Sequence, residues 1–421
     1  MEVPIMALAK LKKAPGYRWW VLVMNCIAYG SFFMTIQTTN AFGNAISAQW
    51  GLNATKLSLL YTGIMITFAF TAGLGGKLDS KIGMRKTVTL ALLINMVAAL
   101  LYIPLGKFYW AVFVLRICQG FCGGFIAAAG VAGTTLWFPV KQRGLASGIT
   151  MGVVGLGFSI ATAVAPAMLD AMNWQMAIAL LVGGSSAVIA IVYFMTIRSV
   201  KDKYGVSAID DMLEQTETVA ATADEEKEAL PKTMKEARKS KKYLAACIFG
   251  FGNAWLTYGF SAFLATFLIN DRGIPSDSVT AILSITFIIT VIASPLAGVI
   301  SDKVFGGKRY QTLMIATAIT AVSMILATFV SASLIPVVLV LAYASVSMAC
   351  GPFWALPSQL FSPEITAEAC GELTLVANIG GIIVGPILSM IIDATGSGLI
   401  PLITVVIFAI VSIFCARIIH K

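Results

Sequence analysis

The most constraining feature of the sequence is a succession of apolar runs, each about 20 residues long, through almost the whole chain. A run of that length is what an α-helix needs to cross the roughly 30 Å hydrocarbon core of a bilayer. We count twelve such runs, at residues 19–45, 57–78, 87–105, 109–137, 143–169, 174–197, 244–269, 277–300, 311–331, 334–360, 367–391 and 397–417. The chain is 58% hydrophobic and only 12% charged, far from the balance of a soluble domain. The sequence therefore predicts an all-α membrane protein with twelve transmembrane helices.

Basic residues are distributed unevenly between the ends of these runs. Fifteen Lys and Arg lie at the termini or in loops on the side where the chain starts and ends, and three lie in loops on the other side. Because basic loops stay in the cytoplasm, we predict a multi-pass protein of the cytoplasmic membrane with both termini inside. The net charge of +9 then reports topology, and we expect no nucleic-acid partner. One histidine and seven cysteines without a CxxC pair predict no metal site, and we expect no cofactor.

A polar segment at residues 198–242 divides the twelve runs into six and six. We predict an N-terminal bundle at 1–197, a cytoplasmic linker at 198–242 and a C-terminal bundle at 243–421. The linker is near neutral, and its end at 232–242 could form a short surface helix. The halves look like repeats: "GKLDSKIGMRK" (76–86) is matched by "GVISDKVFGGKR" (298–309), and "LWFPVKQRGLASG" (136–148) by "LFSPEITAEACG" (360–371). Such duplication is typical of transporters that rock two bundles around a central site.

The repeated loops are candidate parts of a conformational gate. Glycines allow close backbone approach and tight turns, while an acidic side chain can meet the positive N-terminus of a neighbouring helix. The candidate gating residues are Gly76, Asp79, Gly83, Arg85, Arg143, Asp302 and Arg309.

These loops resemble the repeated signature of the major facilitator superfamily, and "LRICQG" (115–120) resembles its fourth-helix motif. The stretch "GPFWALPSQLFSPEITAEACGELTLVANIGGIIVGP" (351–386), with "WFPVKQRG" and "FLINDRGI", resembles the superfamily's organic-anion permeases. The shorter "SDKVFGGKR" is similar to the related organophosphate antiporters. The resemblance implies two six-helix pseudo-repeat bundles and alternating access. Because one chain contains both halves, we expect a functional monomer in the lipid bilayer.

An arginine in the middle of the fourth run needs an explanation, because insertion of such a residue costs roughly 2.5–3.5 kcal/mol. Arg116 should face the bundle interior, and no acidic residue lies in mid-membrane to pair with it. An unpaired guanidinium suits a carboxylate, so we predict that Arg116 binds substrate. The alternative is a structural arginine that hydrogen-bonds Gln119 or the backbone.

Polar side chains at helical spacing supply further candidates. A stripe on the first run contains an amide, a phenol and hydroxyls, and the seventh run carries a looser counterpart. The predicted substrate-binding residues are Arg116, Gln119, Asn25, Tyr29, Thr35, Asn253, Tyr258, Trp354 and Asn378. Interhelical hydrogen bonds are the alternative role for such residues. Glu372 is the candidate for proton coupling, with a helix-end carboxylate near the membrane surface as the alternative.

Together these features predict a secondary active transporter of a small organic anion, such as a carboxylate, working as an antiporter or as a proton or cation symporter. One alternative is an exporter of drugs or hydrophobic metabolites. Another is a transporter-like nutrient sensor that signals through residues 198–242. No nucleotide-binding loop and no catalytic constellation is present in the sequence, so we expect neither an ATP-driven pump nor an enzyme.

Overall fold

The fold is a bundle of long helices that run back and forth across one apolar body. The computed structural model describes residues 15–139, 142–204, 231, 233–305, 308–356, 360–361 and 363–420. The side chains of some helical residues, including Arg143 and Asp302, lie outside this description. The described residues contain no strand, and the predicted all-α fold is confirmed.

The first six long helices precede the polar segment. They are α1 (Tyr17–Ala41), α2 (Ala54–Ile82), α3 (Met84–Leu100, continued by Tyr102–Leu105), α4 (Tyr109–Phe125, continued by Ile126–Val131 and Ala132–Leu136), α5 (Arg143–Ala171) and α6 (Trp174–Ile178, Ala179–Gly184 and Ser185–Thr196). The middle pieces of α4 and α6 are wide π-helical turns. Two short helices, Gly43–Trp50 and Val200–Tyr204, flank this half.

Six long helices follow the polar segment. They are α7 (Lys241–Thr266, continued by Phe267–Asp271), α8 (Ser276–Ile288 and Thr290–Lys303), α9 (Arg309–Phe329), α10 (Ile335–Ala355), α11 (Pro363–Thr395) and α12 (Leu399–His420). A short helix, Met234–Lys239, precedes α7 and matches the predicted surface helix at the end of the polar segment.

Within the described chain, eleven of these helices are long and apolar enough to cross a membrane. The exception is α7, which has 26 residues but whose apolar run is interrupted by Asn253, Thr257 and Tyr258. It packs against α11 and α12 in the same bundle. Polar side chains inside a span are tolerated where they face protein or a cavity, and all three line the cavity described below.

The termini of the helices define two faces of the bundle. The phenol of Tyr17, at the start of α1, donates to the carbonyl of Thr196 at the end of α6. The rings of Tyr310 and His420 stack 3.9 Å apart, which joins the start of α9 to the end of α12. We call this side, which carries the ends of the polar segment, the linker face, and the opposite side the distal face.

Two helix pairs make the most extensive contacts between the halves: α2 packs on α11, and α5 packs on α8. The approach of α5 to α8 depends on glycine, because a Cβ at Gly155 would lie 2.1 Å from the carbonyl oxygen of Phe287. The hydroxyl of Thr290 donates to the carbonyl of Gly152 at 2.7 Å across the same contact. Small residues let two backbones approach closely, as transmembrane helix pairs commonly do.

The perimeter of the bundle is apolar. Large hydrophobic side chains such as Phe329, Trp110 and Met195 are 80%, 70% and 69% exposed. In water such a surface would associate or aggregate, whereas lipid solvates it. The perimeter is therefore the surface that meets the bilayer.

Candidate functional site

A cavity of about 280 Å³ lies between the two halves of the molecule. Helices α1, α2, α4 and α5 contribute to one wall, and α7, α8, α10 and α11 to the other. The lining residues are Tyr29, Phe33, Phe68, Ala127, Met151, Val154, Gly250, Asn253, Ala254, Thr257, Tyr258, Thr290, Ser294, Tyr343, Ser347, Cys350, Phe353, Trp354, Thr374, Ala377 and Asn378. Both halves therefore contact whatever occupies the cavity.

The walls of the cavity are aromatic, with neutral polar groups between the rings. Within the described part of the chain, no Asp, Glu, Lys, Arg or His is among the lining residues. Such a site binds through hydrogen bonds and apolar contact, since it offers no formal charge.

Four tyrosines from both halves converge at the cavity, and we call them the phenol cluster. Tyr29, Tyr258 and Tyr343 line the cavity, while Tyr61 of α2 lies outside the lining. Tyr258 lies near each of the other three. The hydroxyls of Tyr61 and Tyr343 are buried and have no hydrogen-bond partner among the described residues. A buried hydroxyl left unpaired costs about 1–3 kcal/mol, and the Tyr343 hydroxyl, on a residue that lines the cavity, is available to a ligand.

Five of the predicted substrate-binding residues line the cavity: Tyr29, Asn253, Tyr258, Trp354 and Asn378. The amide of Asn253 donates from Nδ2 to the sulfur of Cys350 at 3.2 Å. Its Oδ1 atom is buried without a partner in the described structure. This arrangement leaves an acceptor beside the phenol cluster.

Sequence reasoning did not single out Tyr61 or Tyr343. Each lies in a long apolar run, about two helical turns from the distal end of its helix. A search of α2 and α10 for polar stripes, as was applied to α1 and α7, is the signal that could have found them.

Arg116 lies outside the cavity lining, sealed within the first six helices. Its side chain is 0% exposed, and Nη1 donates to the carbonyl of Thr35 at 3.1 Å and to Oγ1 of Thr38 at 3.0 Å. Nη1 also donates to Oε1 of Gln119 at 3.4 Å, and the guanidinium lies 5.4 Å from the centre of the Tyr102 ring. Tyr102 donates to the same Gln119 oxygen at 3.0 Å. This geometry matches the alternative role, a structural arginine that holds α1 to α4.

Three more predicted residues share that interior position. Gln119 and Thr35 belong to the Arg116 network, and Asn95 donates to Oγ1 of Thr35 at 3.1 Å. Asn25 accepts from the Tyr193 hydroxyl at 2.6 Å and donates to Oγ1 of Thr134 at 2.7 Å. The stripe on α1 thus divides: Tyr29 faces the cavity, while Asn25 and Thr35 bond to other helices of the first half.

The N-terminal gate candidates meet at the linker face, where α2 turns into α3. Gly83 has φ of 81°, a conformation that favours glycine, and its N–H donates to the carbonyl of Asp79 at 2.8 Å. Burial raises the pKa of the Asp79 carboxyl. The guanidinium of Arg85 lies 4.7 Å from the centre of the Phe194 ring. A Cβ at Gly76 would meet no atom within 4 Å.

The remaining gate candidates are described less fully. Arg309 begins α9 at the linker face and interacts with other residues there. The side chains of Arg143 and Asp302 lie outside the described residues, so their predicted roles stay predictions.

The distal face carries a contact between the halves that the sequence did not reveal. The carboxylate of Asp393, near the end of α11, accepts from the backbone N–H groups of Ala54 and Thr55 at 2.9 and 2.8 Å. It also accepts from the Thr55 hydroxyl at 2.5 Å. Asp393 therefore caps the N-terminus of α2 from the other half, where the helix dipole favours a negative charge. We call this contact the distal latch.

Glu372, the coupling candidate, lies on α11 at the linker face. Its carboxylate forms an ion pair with Arg238 of the short helix Met234–Lys239, and Nε of Arg238 donates to Oε2 at 3.2 Å. The hydroxyl of Tyr243 donates to the same carboxylate. The two charged side chains are 57% and 26% exposed, so the pair is solvated. Its position matches the alternative of a helix-end carboxylate near the surface.

Comparison with known proteins identifies the family. The model of the Major Facilitator Superfamily matches residues 21–385. A probable sulfoacetate transporter of Cupriavidus necator is 22% identical over 92% of this chain and 90% of its own length. A hexuronate transporter of Bacillus subtilis is 22% identical over 82% of this chain and 81% of its own.

A solved structure extends the likeness to the fold. A bacterial homologue of the human lysosomal transporter Spinster, in an inward-facing and unoccupied conformation, superposes with a TM-score of 0.71 at 15% identity, covering 97% of this chain and 98% of its own. The predicted resemblance to the superfamily is confirmed, and the two relatives named above are transporters of organic anions.

Proposed function

Because the chain belongs to the major facilitator superfamily, we propose that it is a secondary active transporter that moves a small organic anion across the cytoplasmic membrane by alternating access. The observation that carries the proposal is the central cavity, which α1, α2, α4 and α5 line from one half and α7, α8, α10 and α11 from the other. A ligand held by both halves can stabilise the closed state through which the halves rock.

The anionic character of the substrate is supported by the relatives. Sulfoacetate carries a sulfonate and a carboxylate, and a hexuronate carries a carboxylate beside several hydroxyl groups. The cavity offers hydroxyl and amide groups at Tyr29, Tyr258, Tyr343, Asn253 and Asn378, which can bond such oxygens. Hydrogen-bond donors in a dry site stabilise negative charge even where no cation is present.

The distal latch supports the alternating-access part of the proposal. It joins α2 to α11 across the two halves on one face only, so it must break when that face opens. The positive-inside distribution of basic residues supports a linker face, with both termini, on the cytoplasmic side. Anion exchange, or symport with a proton or cation, would then drive the cycle.

The experiment that tests the proposal is uptake by the purified full-length chain in liposomes. Radiolabelled mono- and dicarboxylates are offered with and without an internal counter-anion. Saturable anion uptake that the counter-anion accelerates indicates exchange, and uptake driven by an imposed proton or cation gradient indicates symport. If no anion moves under either condition, the proposal is wrong.

A second candidate function, export of drugs or hydrophobic metabolites, is favoured by one observation. The aromatic rings of Phe33, Phe68, Phe353 and Trp354 line the cavity, and none of the described lining side chains is charged. The same liposomes separate the two candidates. Transport of lipophilic cations in the absence of anion uptake would favour the exporter.

A further inference from the structure

The hydroxyl groups in the cavity wall differ in whether they already have a hydrogen-bond partner. On the wall formed by the last six helices, the hydroxyls of Thr257, Thr290 and Ser347 all donate to helix carbonyls, at 2.8, 2.7 and 2.9 Å. The hydroxyls of Ser294 and Tyr343 on the same wall are buried with no such partner among the described residues. A serine hydroxyl in a helix can bond a carbonyl one turn back, and the Ser294 hydroxyl, which does not, can donate to a ligand in the cavity that it lines.

The free polar atoms also differ in what they can bond. Hydroxyls such as those of Ser294 and Tyr343 donate to carboxylate oxygens, which accept without donating. The Oδ1 atom of Asn253 only accepts, and it is buried without a described partner. A carboxylate oxygen would repel it, so Asn253 requires a hydroxyl or an N–H group on the ligand.

The absence of charged side chains in the described lining limits the charge of the ligand. A second negative charge taken out of water without a cation is strongly unfavourable, and Arg116 lies outside the lining. The rings of Phe33, Phe68, Phe353 and Trp354 occupy the rest of the surface and favour an apolar body.

On these grounds, and resting on the proposed organic-anion transport, we infer that the cavity takes a monocarboxylate with a hydroxyl or N–H donor beside the carboxylate and an apolar body about the size of one aromatic ring. Tyr343 and Ser294 donate to the carboxylate, and Asn253 accepts from the neighbouring donor. Tyr29 and Tyr258 are the other members of the phenol cluster that line the cavity.

Three probes test this class by calorimetric titration of the full-length protein. Mandelate has the carboxylate, the hydroxyl and the ring; phenylacetate lacks the hydroxyl; tartrate is a dianion without an apolar body. Mandelate should bind about tenfold more tightly than phenylacetate, because phenylacetate leaves the Asn253 acceptor unpaired. The difference in affinity between mandelate and tartrate should be larger still.

Conservative variants test which side-chain groups form hydrogen bonds with the ligand. Tyr343→Phe and Ser294→Ala should each weaken mandelate binding about tenfold, the loss expected for one hydrogen bond to a charged group. Asn253→Leu should abolish the preference for mandelate over phenylacetate. The control variant Tyr310→Phe removes a tyrosine hydroxyl at the linker face, where the ring stacks on His420, and should leave the affinity for mandelate unchanged. Melting curves confirm that each variant is folded.

The outcomes separate this inference from the proposed function. Tighter binding of tartrate than of mandelate overturns the inference, as does wild-type affinity for mandelate in both Tyr343→Phe and Ser294→Ala. If liposomes still take up some organic anion in either case, the proposed function stands. If no anion is bound or moved, both fall together.

Discussion

The distal latch predicts that removal of one carboxylate shifts the balance between the two faces of the molecule. Asp393→Ala removes three hydrogen bonds from the first turn of α2, at 2.9, 2.8 and 2.5 Å. Loss of these bonds to first-turn N–H groups and of a favourable charge at the helix dipole costs about 1–2 kcal/mol at an exposed position. Only the distal-closed state makes this contact, so the population of the distal-open state should rise about 5- to 30-fold.

Pulsed electron–electron double resonance, which measures distances between two spin labels, detects this shift directly. Spin labels at Lys107→Cys and Leu334→Cys, in a background without native cysteines, report the separation of the two halves at the distal face. The variant should gain a population at longer distances that the parent lacks. Thermal stability should fall little, because the closed and open states are both folded.

Asp271→Ala is the matched control. Asp271 accepts from the N–H of Gly398 at 2.6 Å and from the hydroxyl of Ser397, a similar cap at the same face but within the last six helices. Its loss should leave the distance distribution unchanged. The reasoning is refuted if Asp393→Ala does not lengthen the distances, or if Asp271→Ala lengthens them equally.

Three further predictions follow from packing and charge. Arg116→Ala should cost about 2–4 kcal/mol of stability, seen as a lower melting temperature, while ligand affinity of the folded fraction stays within about threefold. Gly155→Ala should destabilise by about 1–3 kcal/mol in thermal melts because its Cβ would strike the Phe287 carbonyl, whereas Gly371→Ala, with open space, should not. Arg238→Gln should speed tryptic cleavage at Lys235 and Lys239 several-fold and change melting little, because a solvated ion pair contributes less than about 1 kcal/mol.

The fold could be predicted from the sequence because lipid leaves so few alternatives. Apolar runs of about 20 residues must form helices, since nothing in hydrocarbon can bond a free backbone group. The predicted ends were less accurate: α2 continues to Ile82 and α11 spans Pro363–Thr395, both beyond the predicted runs. A helix such as α2 continues beyond the hydrocarbon core, through polar residues such as Asp79, because its backbone hydrogen bonds can form in water as well as in lipid. Hydropathy marks the membrane-embedded part rather than the whole helix.

The site was harder to predict, because helical spacing gives the faces of one helix but not its neighbours. The stripe on α1 was recognised, yet only contact with α3, α4 and α6 separates Asn25 and Thr35 from the cavity-facing Tyr29. Arg116 stood out by its cost of burial, and its partners turned out to be a carbonyl, a hydroxyl and an amide. The distal latch joins residues more than 330 positions apart in the sequence, and no local sequence pattern predicts such a contact.

The most direct test of the account is anion counterflow with the distal face locked. Thr55→Cys combined with Asp393→Cys replaces the latch by a reversible disulfide between α2 and α11. In liposomes preloaded with unlabelled anion, the reduced protein should accumulate radiolabelled substrate, the oxidised protein should not, and reduction should restore the flux. Continued counterflow through the fully oxidised protein would contradict alternating access between these two halves.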